Sequence, residues 1–316
     1  MSTEQDTEQP KVPSRTFGFS VMLVATLFVI YFLNQQATNL SSTSADSVPA
    51  LSNQVSGFDA LAWFLPAEAN LGFIEIPAGP FTMGSNPSLD RMAYENERWS
   101  DLRRQGQVDL PMFLISRYET TNLQFAAYLE QNGITSTQSS AYGDPTLPVT
   151  NVTWAEALSY ARWLDAQLRQ SPETPDVLRN LLNNGYKVSL PSEAEWEKAA
   201  RGTDGRVFPW RDVPADSVAN FNNDAPRPVN QQTCDACAWG LNDMAGNVWE
   251  LTRSPLQDYP YNADDDAEDL VGDALYVMRG GSYADALNNI RTAVRGGADP
   301  GVRNATIGFR LVISSL

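Results

Sequence analysis

Two carboxylates flank a tight turn in the segment LNDMAGNVWEL, and their spacing could bind a metal ion. Asp243 and Glu250 lie seven positions apart, on either side of the pair Gly246 and Asn247, which favours a turn. Carboxylate side chains and the carbonyls of such a turn are the oxygen ligands that calcium prefers. The spacing therefore predicts a calcium site, and the alternative is a hydrogen-bonded turn without a metal.

Cysteine and histidine set narrow limits on other chemistry. The chain has two cysteines, Cys234 and Cys237, and no histidine. The absence of histidine excludes His-based zinc sites, non-haem iron triads, His-ligated haem and every nucleophile that histidine activates. Two thiolates cannot complete a four-cysteine zinc site within one chain.

The charge balance argues against nucleic acid as a partner. The 316 residues carry 38 acidic and 22 basic side chains, which gives a net charge of −16. A chain this acidic repels phosphate backbones, whereas its surface suits solvent or bound cations.

An apolar segment near the start of the chain predicts a membrane anchor. Residues 16–33, TFGFSVMLVATLFVIYFL, form a run of 18 uncharged residues, which is just long enough to span a bilayer as a helix. Lys11 and Arg15 precede this run, and the next basic residue is Arg91. The positive-inside rule therefore assigns residues 1–15 to the cytoplasm and the rest to the periplasm or the cell exterior. This signal-anchor makes a single-pass membrane protein, and a cleaved signal peptide is the alternative.

The residues that follow the anchor change character twice. Residues 34–57 are rich in Ser, Thr, Asn and Gln, so we expect a flexible tether. Residues 58–72, FDALAWFLPAEANLG, are apolar again, and they either pack on the domain or rest near the membrane. The globular domain is expected to occupy residues 73–316.

The predicted location decides how the cysteine pair is interpreted. Outside the cytoplasm, a disulfide between Cys234 and Cys237 is the default expectation. A redox-active dithiol is an alternative, although no helix of a thioredoxin-like unit is visible beside the pair. A reduced or metal-bridging pair is the remaining one.

Three capping boxes predict where helices begin. Thr121, Thr153 and Ser192 are each followed three positions later by Gln or Glu, so that each side chain binds the other residue's amide. We expect these helices to end near Glu130, Leu168 and Arg201, respectively.

The remaining elements are short. A fourth helix is predicted with Thr174 as its cap and Pro175 at its first helical position. The first strand is expected at residues 73–85, with Pro77 and Gly79 as interruptions inside it, and later strands include 274–278 and 307–313. These elements together predict an α+β fold with little regular secondary structure.

Eight short segments, in order along the chain, carry a resemblance to a known family. They are IPAGPFTMGS (76–85), FLISRYETTNLQF (113–125), PVTNVTWAEALSYARWL (148–164), VSLPSEAEWEKAARG (188–202), FPW (208–210), GLNDMAGNVWELT (240–252), RGGSY (279–283) and IGFRLV (307–312). The chain resembles the sulfatase-modifying factors, which are the formylglycine-generating-enzyme-like domains. The resemblance spans nearly all of residues 73–313 and implies a variant of the C-type lectin fold.

The resemblance also implies which residues hold calcium. Carried over by position, the first site takes the side chains of Asp243 and Glu250 and the carbonyls of Gly246 and Val248. The segment ANFNND is similar to a second calcium site of the family, although its loop is shorter than in the enzymes. The corresponding residues are Asn220, the carbonyl of Phe221, and Asp224. Calcium in this family is usually structural.

This sequence departs from the family where its oxidative chemistry resides. The oxygen-dependent enzymes of the family bind copper(I) with two cysteines, the first of them two positions after the aromatic residue of the RGGS-aromatic motif. That aromatic residue is Tyr283 here, position 285 is Asp, and the following ADALNNIRTAVR contains no cysteine. Because thiolates select copper(I), we do not expect copper-dependent oxidation. The family's iron-dependent relatives need histidines, which are absent here.

Two classes of function follow from these observations. The first is a membrane-anchored, extracytoplasmic and non-catalytic accessory subunit that binds another membrane or envelope protein. The alternative is an enzyme of an uncharacterised branch of the family, acting on a peptide or small molecule without copper. In that case Ser282, Tyr283, Asp285 and Arg295 would line the pocket. A calcium-dependent, lectin-like carbohydrate binder is a third possibility.

Overall fold

The computed structural model describes residues 55–134, 143–211, 215–269 and 274–315. The predicted cytoplasmic segment, the anchor at 16–33 and the tether as far as residue 54 lie outside this part. In the part that is described, no helix combines the length and the apolar composition needed to cross a bilayer.

The described residues contain four α-helices, and hydroxyl caps begin three of them. The helices are α1 (Asn122–Gln131), α2 (Trp154–Gln170), α3 (Asp176–Asn183) and α4 (Glu193–Arg201). Thr121, Thr153 and Ser192 form complete capping boxes at α1, α2 and α4, so these three predictions are confirmed.

The predicted start of α3 is wrong. Pro175 is the N-cap of α3 instead of its first helical residue, and Thr174 makes no capping bond to it. The Thr174 hydroxyl donates to the carbonyl of Leu168 at 2.7 Å instead. That carbonyl lies in the last turn of α2, where backbone carbonyls lack helical partners, so it is free to accept the Thr174 hydroxyl.

Twelve short strands form four sheets within the described ranges. They are β1 (Phe58–Asp59), β2 (Leu65–Pro66), β3 (Phe73–Ile76), β4 (Gly79–Met83), β5 (Gly106–Leu110), β6 (Phe113–Ser116), β7 (Lys187–Ser189), β8 (Trp249–Pro255), β9 (Tyr276–Arg279), β10 (Gly296–Ala298), β11 (Ile307–Gly308) and β12 (Val312–Ser314). The sheet orders are β3-β6-β12-β7, β10-β9-β8-β11, β1-β2 and β4-β5. The single strand predicted for 73–85 is therefore two strands, β3 and β4, that belong to different sheets. The mixture of helices and short strands agrees with the predicted α+β class.

Helix α2 packs its aromatic side chains into the core that the two four-stranded sheets share. Trp154 at its first turn stacks on Tyr276 of β9, with ring centroids 4.2 Å apart. The Trp154 indole also donates to the carbonyl of Thr252 in β8 at 2.8 Å. The same apolar cluster includes Leu114 of β6 and Ile313 of β12. Burial of these large rings is a main source of the domain's stability.

The entry segment, residues 58–72, packs on the domain. Phe58 and Phe64 are buried in one cluster with Leu123 of α1 and Val229. The strand pair β1-β2 therefore closes over the start of α1, which corresponds to the first of the two interpretations of this apolar segment.

Candidate functional site

Three loops that the sequence singles out interlock through backbone hydrogen bonds. Asn220 and Gly246 form an isolated parallel bridge, and the Asn247 amide donates to the Asn220 carbonyl at 2.8 Å. The Tyr283 amide donates to the Asn247 carbonyl at 2.8 Å, and the Asn223 amide donates to the Tyr283 carbonyl at 2.7 Å. The two candidate calcium loops and the RGGSY loop are thus one structural unit.

Gly246 is required where the first two of these loops touch. Its φ is +81°, and a Cβ atom added there would lie 2.2 Å from the Asn220 carbonyl oxygen. Any other residue would force the two loops apart. The glycine that suggested a turn therefore also allows the close contact between them.

Asp243 is buried beside an arginine. Its Oδ1 accepts a hydrogen bond from Arg227 Nη2 at 2.8 Å, and its Oδ2 has no partner among the described residues. Burial raises the pKa of Asp243 to about 6, although Arg227 opposes this shift. One carboxylate oxygen of the candidate metal turn is thus unpartnered.

Glu250 is held on both oxygens by a buried ion pair. Its Oε1 accepts from Arg310 Nη2 at 2.7 Å, and its Oε2 accepts from Arg310 Nε and Trp196 Nε1, both at 2.6 Å. The side chains of Glu250 and Arg310 are fully buried. Arg310 also donates to the carbonyls of Ser116, Arg117 and Asn242. This arginine therefore joins the end of β6 to the candidate metal turn.

Glu119, which no motif in the sequence singled out as a site residue, completes the buried polar centre. Its carboxylate accepts hydrogen bonds from the amide of Val248 and from the side chain of Asn247. Burial is the main cause that raises the pKa of Glu119 well above its ordinary value, and the charges of Asp243 and Glu250 raise it further. Its place two residues before the capping Thr121, inside the segment FLISRYETTNLQF, was the available signal.

The side chains of this centre do not fit a calcium cage as they are arranged. Calcium takes six to eight oxygen ligands. Glu250 is engaged by Arg310, and Asp243 keeps one unpartnered oxygen. Within the described ranges, no group of three or more Asp, Glu, Cys or His side chains could hold a metal ion. Calcium at this turn stays a prediction from the resemblance, and the paired arginines argue against it.

The residues of the second candidate site are engaged in the same way. Asn220 Oδ1 accepts from Asn223 Nδ2 at 2.7 Å, and the Phe221 carbonyl accepts from the same amide at 3.0 Å. Asp224 is exposed. The amide of Asn223 thus occupies the two oxygens of Asn220 and Phe221 on which the prediction depends.

Asp285 anchors the loop that follows the RGGSY motif. Its Oδ2 accepts from the Trp249 indole at 2.9 Å and from the amide and hydroxyl of Ser282 at 3.0 and 2.6 Å. Its Oδ1 accepts from Asn289 Nδ2 at 3.1 Å. Three of these hydrogen bonds lie within the loop of Asp285, and the fourth ties this loop to Trp249 of β8.

Arg295 lines a different part of the molecule from the rest of the predicted pocket. Its guanidinium lies 4.0 Å from the ring centroid of Tyr259 and donates to both oxygens of Glu193 at 2.6 and 2.8 Å. Glu193, Tyr259 and Arg295 line a small open cavity together with the loop after β8. Ser282 and Asp285 contact each other but are not among the residues that line this cavity. The structure thus brings together only part of the predicted set.

Cys234 and Cys237 are joined by a disulfide in the structure. Cys234 is buried in a small apolar cluster with Trp210, Ala245 and Ile290. The neighbouring Gln232 accepts a hydrogen bond from Arg227, the arginine that pairs with Asp243. The cysteine loop therefore contacts the buried polar centre through Gln232 and Arg227.

Comparison with known proteins assigns the family. The model of the sulfatase-modifying factor enzyme 1-like domain matches residues 65–315. The chain belongs to this family. The match includes the candidate metal turn, the RGGSY loop and Arg310, so the resemblance that the eight segments indicated is correct.

Curated relatives of this chain include enzymes of two kinds. Hercynine oxygenase of Mycolicibacterium smegmatis is 28% identical over 283 residues, which cover 75% of this chain and 60% of that protein. Formylglycine-generating enzyme of Thermomonospora curvata is 28% identical over 302 residues, covering 79% of this chain and 96% of the enzyme. The chain spans less than two thirds of the length of the hercynine oxygenases it matches.

A solved structure with the same fold is PvdO from Pseudomonas aeruginosa. The two share 24% identity and a TM-score of 0.61 over 77% of this chain and 94% of PvdO. This likeness supports the formylglycine-generating-enzyme-like fold that the sequence predicted.

Proposed function

We propose that this chain is a non-catalytic sulfatase-modifying-factor-like protein that acts as an accessory or binding subunit. In this proposal, residues 16–33 anchor it in a membrane, and the domain binds another membrane or envelope protein outside the cytoplasm. The role requires a rigid, folded scaffold with exposed loops, and it requires no thiolate chemistry.

The state of position 285 carries the proposal. The resemblance puts the first copper-binding cysteine there, whereas Asp285 has both carboxylate oxygens engaged by Trp249, Ser282 and Asn289. A carboxylate is a hard ligand and is a poor substitute for the thiolates that select copper(I). The two cysteines of the chain are bonded to each other elsewhere, in the loop before the candidate metal turn.

An enzyme of another kind is the second candidate, and two observations favour it. The curated relatives described above carry the names of enzymes. The cavity beside Arg295 contains a buried carboxylate, Glu193, and two tyrosines, Tyr259 and Tyr261. Such a site could orient a peptide or small molecule, although both oxygens of Glu193 already accept hydrogen bonds from Arg295, and Arg295 Nη1 donates to the Asn96 carbonyl.

The first experiment tests for the family's oxidase activity. The full-length chain is incubated with a cysteine-containing sulfatase peptide, copper(I) and oxygen, and the peptide is analysed by mass spectrometry. We expect no formylglycine above the level without protein, while the formylglycine-generating enzyme of Thermomonospora curvata converts the peptide in parallel. Formylglycine produced by this chain would refute the non-catalytic assignment.

The second experiment tests the accessory role. The full-length chain is purified from the membranes of its own cells in mild detergent, and its stoichiometry is measured by native mass spectrometry. We expect one other membrane or envelope protein at a fixed ratio. A protein that purifies alone and converts a small molecule or peptide from the same cells would favour the enzyme instead.

A further inference from the structure

Buried ion pairs connect two neighbouring loops, residues 86–104 and 287–291. Arg291 is fully buried and donates to Asp90 at 2.6 Å and to Glu97 at 2.6 and 3.0 Å. Tyr94 lies over the Arg291 guanidinium, and its hydroxyl donates to Asn289 at 2.7 Å. Removal of one partner of such a buried pair is costly, so these loops present a fixed surface to solvent.

This fixed surface exposes large apolar side chains. Leu89 is 74% exposed, Leu102 is 96% exposed and Tyr94 is 41% exposed, while Leu287 on the second loop is 36% exposed. Half of the exposed large apolar residues in the described part of the chain are thus on these two loops. Single exposed leucines are common, whereas a group on one rigid surface is typical of an interaction site.

The same two loops carry a small net positive charge on a strongly acidic chain, since their five arginines face four acidic residues. Asp90 and Glu97 both pair with the single Arg291, which leaves one negative charge there, and six further charged residues lie on the first loop. They are Arg91, Glu95, Arg98, Asp101, Arg103 and Arg104, that is, four positive and two negative charges. Arg98 and Arg104 both contact Glu95, whereas the side chains of Arg91 and Arg103 have no partner among the described residues.

We propose that Leu89, Arg91, Tyr94, Leu102, Arg103 and Leu287 form a docking face for an acidic, apolar segment of a partner protein. The proposal rests on the accessory function proposed above and specifies the partner's chemistry. The leucines and the tyrosine bury apolar side chains of the segment, and Arg91 and Arg103 pair with its carboxylates. Charge pairs at the rim select the partner and its register, while the apolar contacts supply most of the affinity.

The charge distribution favours a protein segment over a lipid surface. Fields between exposed charges decay within about 8 Å at physiological ionic strength, so a short segment meets only the local positive charge. An anionic membrane is extended and would face the rest of a chain whose net charge is −16. Asp101 is also completely exposed beside Leu102, which opposes insertion of this tip into a negatively charged bilayer.

The experiment is site-specific photo-crosslinking of the full-length chain in its own cells. A benzophenone amino acid replaces Leu89 or Leu102, and the adducts are mapped by mass spectrometry to the residue. Matched control positions are Leu61 and Val177, which are exposed apolar residues outside the docking face. We expect adducts from positions 89 and 102 with one segment that has net negative charge and apolar residues, and none with it from the controls.

Charge exchange then tests the predicted pairing. The double variant Arg91→Glu with Arg103→Glu should reduce the adduct at least about tenfold, because like charges then face each other. Exchange of the segment's acidic residues for lysine should restore the adduct in the double variant. The same lysine segment should not form the adduct with the wild type. Thermal unfolding of the variant serves as the control that the fold is intact.

Several results would overturn the docking face. They are an adduct with lipid, with a second copy of this chain or with a basic segment, an adduct that the charge reversal leaves unchanged, and no adduct at all. If a partner co-purifies at a fixed ratio but crosslinks only at position 61 or 177, the docking face is wrong while the accessory function stands. If no partner co-purifies and a substrate is converted, the proposed function itself has failed.

Discussion

Replacement of Arg310 by methionine should strongly destabilise the domain. Arg310 and Glu250 are fully buried, and the guanidinium is the only cation that contacts this carboxylate among the described residues. The variant leaves the Glu250 carboxylate buried without its cation, with Trp196 as its remaining side-chain donor. Breaking a buried pair in this way costs about 3–5 kcal/mol.

The magnitude can be converted into a melting temperature. For domains of about 150–250 residues, each kcal/mol lowers Tm by about 2–4 °C, so we expect Arg310→Met to lower it by about 6–20 °C. Glu250→Gln should have a similar effect. The double variant should lose at least about 1 kcal/mol less than the sum of the single losses, because it leaves no unpaired charge.

The assay is calorimetry of the full-length chain, with and without a calcium chelator. Since Arg310 donates hydrogen bonds to both carboxylate oxygens of Glu250, chelation should leave the wild-type melting temperature unchanged. Arg162→Met, which removes an exposed pair with Asp269, is the matched control and should cost less than about 1 kcal/mol.

Two results would refute this reasoning. An Arg310→Met variant that loses less than about 1 kcal/mol would mean that the site relaxes around the carboxylate and does not depend on its arginine. Alternatively, chelation could lower the wild-type melting temperature while elemental analysis finds bound calcium. In that case the calcium prediction from the family resemblance is right, and the arginine pairing is not the native state of the turn.

Three further predictions concern separate parts of the domain. Asp285→Ala should lower the free energy of unfolding in urea by about 1–3 kcal/mol, since it leaves an indole N–H and a buried amide without an acceptor. The control Asp216→Ala, at an exposed turn, should change it little. A loss below about 0.5 kcal/mol for Asp285→Ala would show that the loop does not need this anchor. Thr153→Ala should cost about 1 kcal/mol by removing the cap of α2, and Ser159→Ala on the exposed face of that helix is its control; equal effects would contradict the capping argument. Burial raises the pKa of Asp266, so the folded state binds this proton more tightly than the unfolded state. The ionised carboxylate therefore destabilises the fold progressively as pH rises from the ordinary pKa of 3.8 through the raised pKa. Asp266→Asn should therefore gain stability relative to the wild type over that interval, measured as the difference between two pH series, and a constant difference would contradict the raised pKa.

Local features of the fold could be predicted from sequence. The capping boxes at Thr121, Thr153 and Ser192 depend on residues three positions apart, and each is formed. The Thr174 hydroxyl was misassigned because it can either accept from an amide of the helix that follows or donate to a carbonyl of the helix that precedes it, and it donates to Leu168. The break between β3 and β4 falls at Pro77, a residue that interrupts strand pairing, whereas the prediction ran one strand through it.

The candidate site was harder to predict, because its bonds join residues far apart in the sequence. The family motif identified Asp243 and Glu250, but their partners Arg227 and Arg310 lie 16 and 60 positions away. Glu119 lies 128 positions from Asn247, and no local pattern connects them. Arg295 was grouped with Asp285 as a residue of the pocket where the family's cysteines lie, whereas its partner Glu193 lies 102 positions upstream. Motifs thus identify the groups that a site uses, and the tertiary fold decides how they are paired.

The order of strands has a consequence for how the protein is made. Strand β12 lies between β6 and β7, so the last strand of this sheet to be synthesised joins the two that were made before it. Arg310, two residues before β12, also supplies the charge that Glu250 needs. A nascent chain that ends before residue 310 would hold a split sheet and a buried carboxylate without its cation. The domain is therefore expected to reach its stable form only after residues 310–314 have left the ribosome, which leaves earlier intermediates accessible to chaperones and proteases.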